Sequence, residues 1–132
     1  MKSDDDNKSS QRKAEELEDR MIDFALRVGA VAEALPASKL GKHIASQIIR
    51  CGTSPAPNYG EADAGESTND FIHKLGVVFK ELRETRIWLK MIVRGKILPD
   101  RRMLPVLDEC NQLCHIIAAS IKTAKTNRGD FR

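Results

Sequence analysis

Cys110-x3-Cys114-His115 is the constellation closest to metal chemistry in this sequence. On a helix, Cys110 and Cys114 share one face, but His115 projects about 100° from Cys114. Structural zinc requires four convergent ligands, usually in paired short spacings, and no second pair accompanies these residues. Buried cysteine packs as a small hydrophobe, so Cys51, Cys110 and Cys114 are expected to be core thiols, with no metal. His43, His73 and His115 are scattered, and none lies beside a nucleophile in a recognisable motif. There is no GxSxG elbow, Walker loop, HExxH or GxGxxG, and the glycines between Gly52 and Gly65 are too widely spread to cradle a phosphate. The expectation is a protein that is not an enzyme and needs no cofactor.

A second chemistry-bearing group is a stripe of cations. Lys80, Arg83, Arg86, Lys90 and Arg94 fall within an arc of about 120° on a helix, away from its Leu82/Leu89 stripe. Arg101 and Arg102 follow, then Lys122, Lys125 and Arg128. Such a surface binds phosphates through counterion release, and so could serve RNA or DNA. Its other reading is a solvated helix face flanked by Glu81 and Glu84. Only Phe79 and Trp88 lie nearby as aromatics, too few for sequence-specific stacking on single strands.

The elements that must position these residues are helices. Leu17, Met21, Phe24, Val28, Val31 and Leu35 alternate in steps of four and three, which predicts a helix from about Ser10, capped by Ser9 or Ser10, to Pro36. Ser38 is the natural cap of a second helix carrying Leu40, Ile44, Ile48 and Cys51. Pro55 and Pro57 must kink or break it, and Asn58 with Glu61 three residues on can restart it as a capping-box variant. The third stripe is Phe71, Leu75, Val78, Leu82, Thr85, Leu89 and Ile92, with Ser67 or Asn69 as cap and Gly95 as a left-handed terminus. The fourth segment, after Leu98-Pro99-Asp100, runs to about Thr126 with Pro105 in its first turn. It carries two stripes, one of Leu104, Leu107, Cys114, Ala118 and Ile121, the other of Met103, Val106, Cys110, Leu113, Ile117 and Ala124.

Four such helices joined by short links predict an all-α, up-down-up-down antiparallel four-helix bundle, its second helix kinked or broken near Pro55–Pro57. Residues 1–10 read as a disordered polar tail, 11–126 as the bundle and 127–132 as a C-terminal tail. At 132 residues, the chain is the size of one domain, and its low aromatic content of 5% implies an aliphatic core. No apolar run approaches the roughly 20 residues of a membrane span. The polar start MKSDDDNKSS lacks a secretory h-region, and an odd number of thiols suits a reduced, cytoplasmic protein. The net charge of +3 divides unevenly, with −4 on residues 1–70 and +7 on residues 71–132. A basic second half can face nucleic acid, an acidic partner, or the acidic half of a neighbouring copy. Ile72, Phe79, Ile87, Trp88 and Met91 lie off the third stripe, an apolar excess that predicts self-association.

The run Gln47-Ile48-Ile49-Arg50-Cys51-Gly52-Thr53-Ser54-Pro55-Ala56-Pro57-Asn58-Tyr59-Gly60-Glu61-Ala62 resembles the signature of bacterial four-helix bundle proteins of the 23S rRNA intervening-sequence family. Its continuation through Glu66-Ser67-Thr68-Asn69-Asp70-Phe71-Ile72, then Lys80-Glu81-Leu82-Arg83-Glu84-Thr85, fits the same family, and the resemblance spans roughly residues 15 to 125. The paired prolines and the acidic N-terminus depart from the pattern. The resemblance implies a homopentamer and a distant likeness to the accessory proteins of diversity-generating retroelements, which bind nucleic acid and reverse transcriptase through a basic surface. Ser54, Asn58 and Glu61 would be the signature polar residues, with a structural role as caps and hydrogen-bond partners of the kinked helix. Two functions remain open. One is an oligomeric bundle binding structured RNA or DNA through Lys80, Arg83, Arg86, Lys90, Arg94, Arg101 and Arg102. The other is a protein–protein interaction scaffold with no nucleic-acid role.

Overall fold

The four-three spacings become five helical stretches that build four arms. In the computed structural model, which describes residues 4–64 and 67–129, these are α1 (Asp4–Ala34), α2 (Lys39–Thr53), α3 (Pro55–Asp63), α4 (Thr68–Arg94) and α5 (Asp100–Arg128). Residues 1–3 and 130–132 of the expected tails, and Gly65 and Glu66 beside the signature, lie outside the described residues. The chain forms an all-α, up-down-up-down four-helix bundle, with α2 and α3 together as its second arm. No strand occurs among the described residues.

The expected stripes of α1, α2 and α4, and one of the two on α5, supply most of the core. Met21, Phe24, Val28 and Val31 of α1 meet Ile44 and Ile48 of α2, and Leu75, Val78, Leu82, Leu89 and Ile92 of α4. From α5 the second of the two stripes is buried, Met103, Val106, Cys110, Leu113 and Ile117, joined by Cys114. Leu104 and Ala118 of the other stripe are exposed, since that flank of α5 has no helix across from it. Thr85, the one fully buried polar side chain among the described residues, donates its hydroxyl to the Glu81 carbonyl one turn back at 2.8 Å. α1 and α2 approach closely at Gly52, where a Cβ would come within 2.5 Å of Val28 Cγ1.

The helix ends correct the sequence reading in four places. α1 starts at Asp4 and not at Ser10, so residues 4–10 are its exposed first turns and not a tail. Asp4, Asp5 and Asp6 complement the positive end of the helix dipole there. α5 likewise takes in residues 127 and 128, ending where Gly129 adopts φ 95°. At the end of α4, Gly95 keeps a right-handed conformation, and the left-handed residue is Lys96, with φ 54°. The Lys96 N–H donates to Val93 O at 3.1 Å and the Ile97 N–H to Ile92 O at 3.1 Å, the two bonds of a Schellman motif.

The fourth concerns Asn58, while the kink expected at the prolines is present. α2 passes into α3 through Ser54, which is itself helical at φ −66° and ψ −32°, so the arm bends slightly and does not reverse. Pro55 opens α3, where a missing N–H costs little, and its ring is buried. The Ser54 hydroxyl donates to Arg50 O at 2.8 Å, and the Asn58 N–H to Ser54 O at 3.2 Å. Asn58 therefore lies within α3 and is not a cap. Ser38 and Ser67 do cap α2 and α4, accepting from Gly41 N at 3.0 Å and Asp70 N at 3.1 Å.

Candidate nucleic-acid interface

α4 separates its charges by flank. On the side facing α2 and α3, Glu81 Oε1 accepts from Asn58 Nδ2 at 3.0 Å. One turn on, Glu84 Oε2 accepts from Trp88 Nε1 at 3.2 Å and pairs with the Arg50 guanidinium of α2. Trp88 also meets the His43 ring edge-on, with centroids 5.6 Å apart, and Lys74 pairs with Glu61 at 2.7 Å. The carboxylates that could neutralise the cationic stripe are thus turned toward the second arm. On the outer flank Lys80, Arg83, Lys90 and Arg94 are exposed, and among the described residues none of them joins an ion pair. Arg83 lies 5.7 Å from the centroid of the Phe79 ring, which holds it across the helix surface.

Of the seven cations expected to bind phosphate, two are diverted. Arg86 is half-buried, and among the described residues its buried Nε has no hydrogen-bond partner. Arg102 Nη2 donates to Ala30 O of α1 at 3.1 Å, away from α4. Arg101 remains exposed in the first turn of α5. The working face therefore comprises Lys80, Arg83, Lys90 and Arg94, with Arg101 beyond the α4–α5 link. Exposed Ile87 and Met91 lie among these cations. Leu40, expected in the buried stripe of α2, is exposed and forms a groove with Ile44, Ile87 and Met91. The off-stripe position of Ile87 and Met91 was a signal for this groove; nothing in the local spacing of Leu40 was.

The polar signature residues act within the second arm and on α4. Ser54 bonds back to its own helix, while Asn58 and Glu61 reach Glu81 and Lys74 of α4. These contacts fasten α3 to the helix that carries the cations. They offer no nucleophile beside a base.

Cys51, Cys110 and Cys114 are free thiols, and all three are buried. Cys110 Sγ donates to Leu82 O at 3.3 Å. Cys110 is pushed well above the ordinary thiol range, by its hydrogen-bonded pairing with Cys114 and by burial. The same pairing, with Arg86 and Arg83 nearby, holds Cys114 down to about 7 against the opposing effect of burial. Burial raises the Cys51 thiol as well. His73 and His115 are exposed, and among the described residues no three His, Cys, Asp or Glu side chains are grouped to hold a metal ion. Tyr59, packed at the α1–α3 contact, has its hydroxyl pushed up to about 12 by burial and by Asp63 and Glu18.

Comparison with known proteins places these features in context. The family model for the 23S rRNA-intervening sequence protein matches residues 13–119. A crystal structure of a protein of unknown function from Bacteroides thetaiotaomicron VPI-5482, assigned to the S23 ribosomal protein family, is similar in fold with a TM-score of 0.75. It is 27% identical, and the match covers 83% of this chain and 98% of that one. No curated protein matches the sequence. Among the described residues no helix is long and apolar enough to cross a membrane.

Proposed function

The chain belongs to the 23S rRNA-intervening sequence protein family, and on that premise we propose that it is a non-enzymatic binding module whose outer α4 surface takes the phosphates of structured RNA or DNA. The observation that carries this reading is the sorting of charge on α4. Glu81 and Glu84 are bonded to the second arm, which leaves Lys80, Arg83, Lys90 and Arg94 uncompensated on the outer flank. An exposed, uncompensated row of cations gains free energy by displacing the counterions of a nucleic acid, with little regard to sequence. Arg101 extends the row; Arg86, half-buried, contributes field more than direct contact.

The test is fluorescence anisotropy with a labelled RNA hairpin and a duplex DNA at low salt. Replacing Lys80 and Arg83 by Glu weakens binding to both and leaves the helical circular dichroism unchanged. Wild-type protein that ignores both probes at low salt defeats the reading.

A second reading is a protein-docking scaffold that works through self-association, with five subunits the number the family resemblance implies. The specific observation in its favour is Ile87 and Met91, exposed among the cations, since phosphate binding has no use for them.

A further inference from the structure

Two helices of this chain carry outer faces of matching design and opposite sign. On α1, Ile22 and Leu26 stand four residues apart and are 45% and 71% exposed. Glu15, Asp19, Asp23 and Glu33 surround them, all exposed and, among the described residues, in no ion pair. On α4, Ile87 and Met91 repeat the spacing, 53% and 45% exposed, and Leu40 of α2 widens their groove at 57%. Lys80, Arg83, Lys90 and Arg94 surround these, exposed and, among the described residues, in no ion pair. α1 and α4 are each adjacent to α2, α3 and α5 and face one another only across the core, so they stand at opposite corners of the bundle. Within one chain the two faces cannot meet.

We propose that the acidic, apolar face of α1 docks on the basic, apolar face of α4 of a second copy of this chain, so that self-association and nucleic acid compete for the same cations. The competition rests on the α4 surface also being the nucleic-acid surface; the docking does not. Charge complementarity selects the occupant: the groove needs an apolar ridge flanked by carboxylates, and α1 supplies one. Each i, i+4 apolar pair presents side chains about 5–6 Å apart, so the two pairs match in length. Two unlike patches on opposite corners make a heterologous contact, which closes into a ring or extends into a filament, and does not form a two-fold dimer. A copy whose α4 face is covered has Lys90 and Arg94 neutralised by a neighbour's Asp19 and Asp23, and offers few free cations to phosphate.

The experiment measures mass by light scattering for the wild type and two charge-reversed full-length variants. One carries Asp19→Lys and Asp23→Lys, the other Lys90→Glu and Arg94→Glu. All four positions are exposed, and circular dichroism checks that each variant is folded. The wild type associates, each variant alone is monomeric because like charges then face each other, and an equimolar mixture of the two variants associates again. A monomeric wild type, a variant of unchanged mass, or a mixture that stays monomeric overturns the docking. An RNA hairpin added to the wild type lowers its mass as it binds, and the α1 variant binds that hairpin at least as tightly as the wild type. Binding with no fall in mass overturns the competition. If no protein binds the hairpin while the mass follows the charge pattern, the nucleic-acid reading and the competition fail together and the docking stands.

Discussion

Asn58 Nδ2 donates to Glu81 Oε1 across the α3–α4 seam at 3.0 Å. This bond joins a residue of the signature run to the helix that carries the cations. It also fixes Glu81 on the inner flank of α4, away from Lys80 and Arg83. Asn58 thus acts as a fastening between α3 and α4, and its effect on the basic surface comes through the placement of a carboxylate.

Replacing Asn58 by Ala removes that donor and is expected to cost about 1 kcal/mol, the usual net value of a partly buried hydrogen bond. Urea denaturation of Asn58→Ala, Glu81→Ala and the double variant reads the coupling between them. Effects that simply add would mean that the bond does not hold the seam.

Lys96 provides a test of the α4 terminus. It closes the Schellman motif at φ 54°, a conformation that costs a side-chain-bearing residue roughly 1 kcal/mol relative to glycine. Its contact with Asp100 at 3.8 Å is exposed and contributes little. Lys96→Gly should therefore raise stability by several tenths of a kcal/mol to about 1 kcal/mol. A destabilised variant would show that the turn is not held as described.

Four helices and their buried faces were legible in the sequence because periodicity is a direct record of burial. The α4 stripe from Leu75 to Ile92 is buried throughout, as its spacing requires. On α5 the spacing supported two stripes, and only the position of α4 and α1 decides between Met103-Val106-Cys110 and Leu104-Leu107. The helix ends were less legible, because Asp4, Gly95 and Asn58 depend on hydrogen bonds that several local conformations can satisfy. For the candidate site, the cationic row was visible by residue type alone. The diversion of Arg86 into the α4–α5 seam and of Arg102 to Ala30 O was not, since a long side chain goes where a neighbouring helix offers room or an acceptor.

Tyr59 predicts an alkaline limit to stability. It is the single tyrosine, so absorbance near 295 nm reads its ionisation without overlap from another phenol. Its hydroxyl titrates near 10 when unfolded and at about 12 when folded. Between those values the folded chain holds the proton more tightly, so the stabilisation is complete below pH 10 and is lost as pH rises toward 12. Tyr59→Phe should show a smaller alkaline decline than the wild type in denaturation experiments, the remainder coming from the raised thiols of Cys51 and Cys110. A tyrosine that titrates near 10 in the folded protein would place it in water.

Binding of nucleic acid by the outer surface of α4 is proposed to run through phosphate contacts. Its most direct test is the slope of log affinity against log salt for a structured RNA, measured for the wild type and for a Lys80→Ala, Arg83→Ala variant. Each phosphate contact contributes roughly 0.7 to 0.9 to the magnitude of that slope, so losing two contacts should flatten it by about 1.4 to 1.8. The wild-type slope should be steep and the variant's flatter, with weaker binding to every sequence tried. Affinity that is indifferent to salt, or equal slopes in the two proteins, would contradict it.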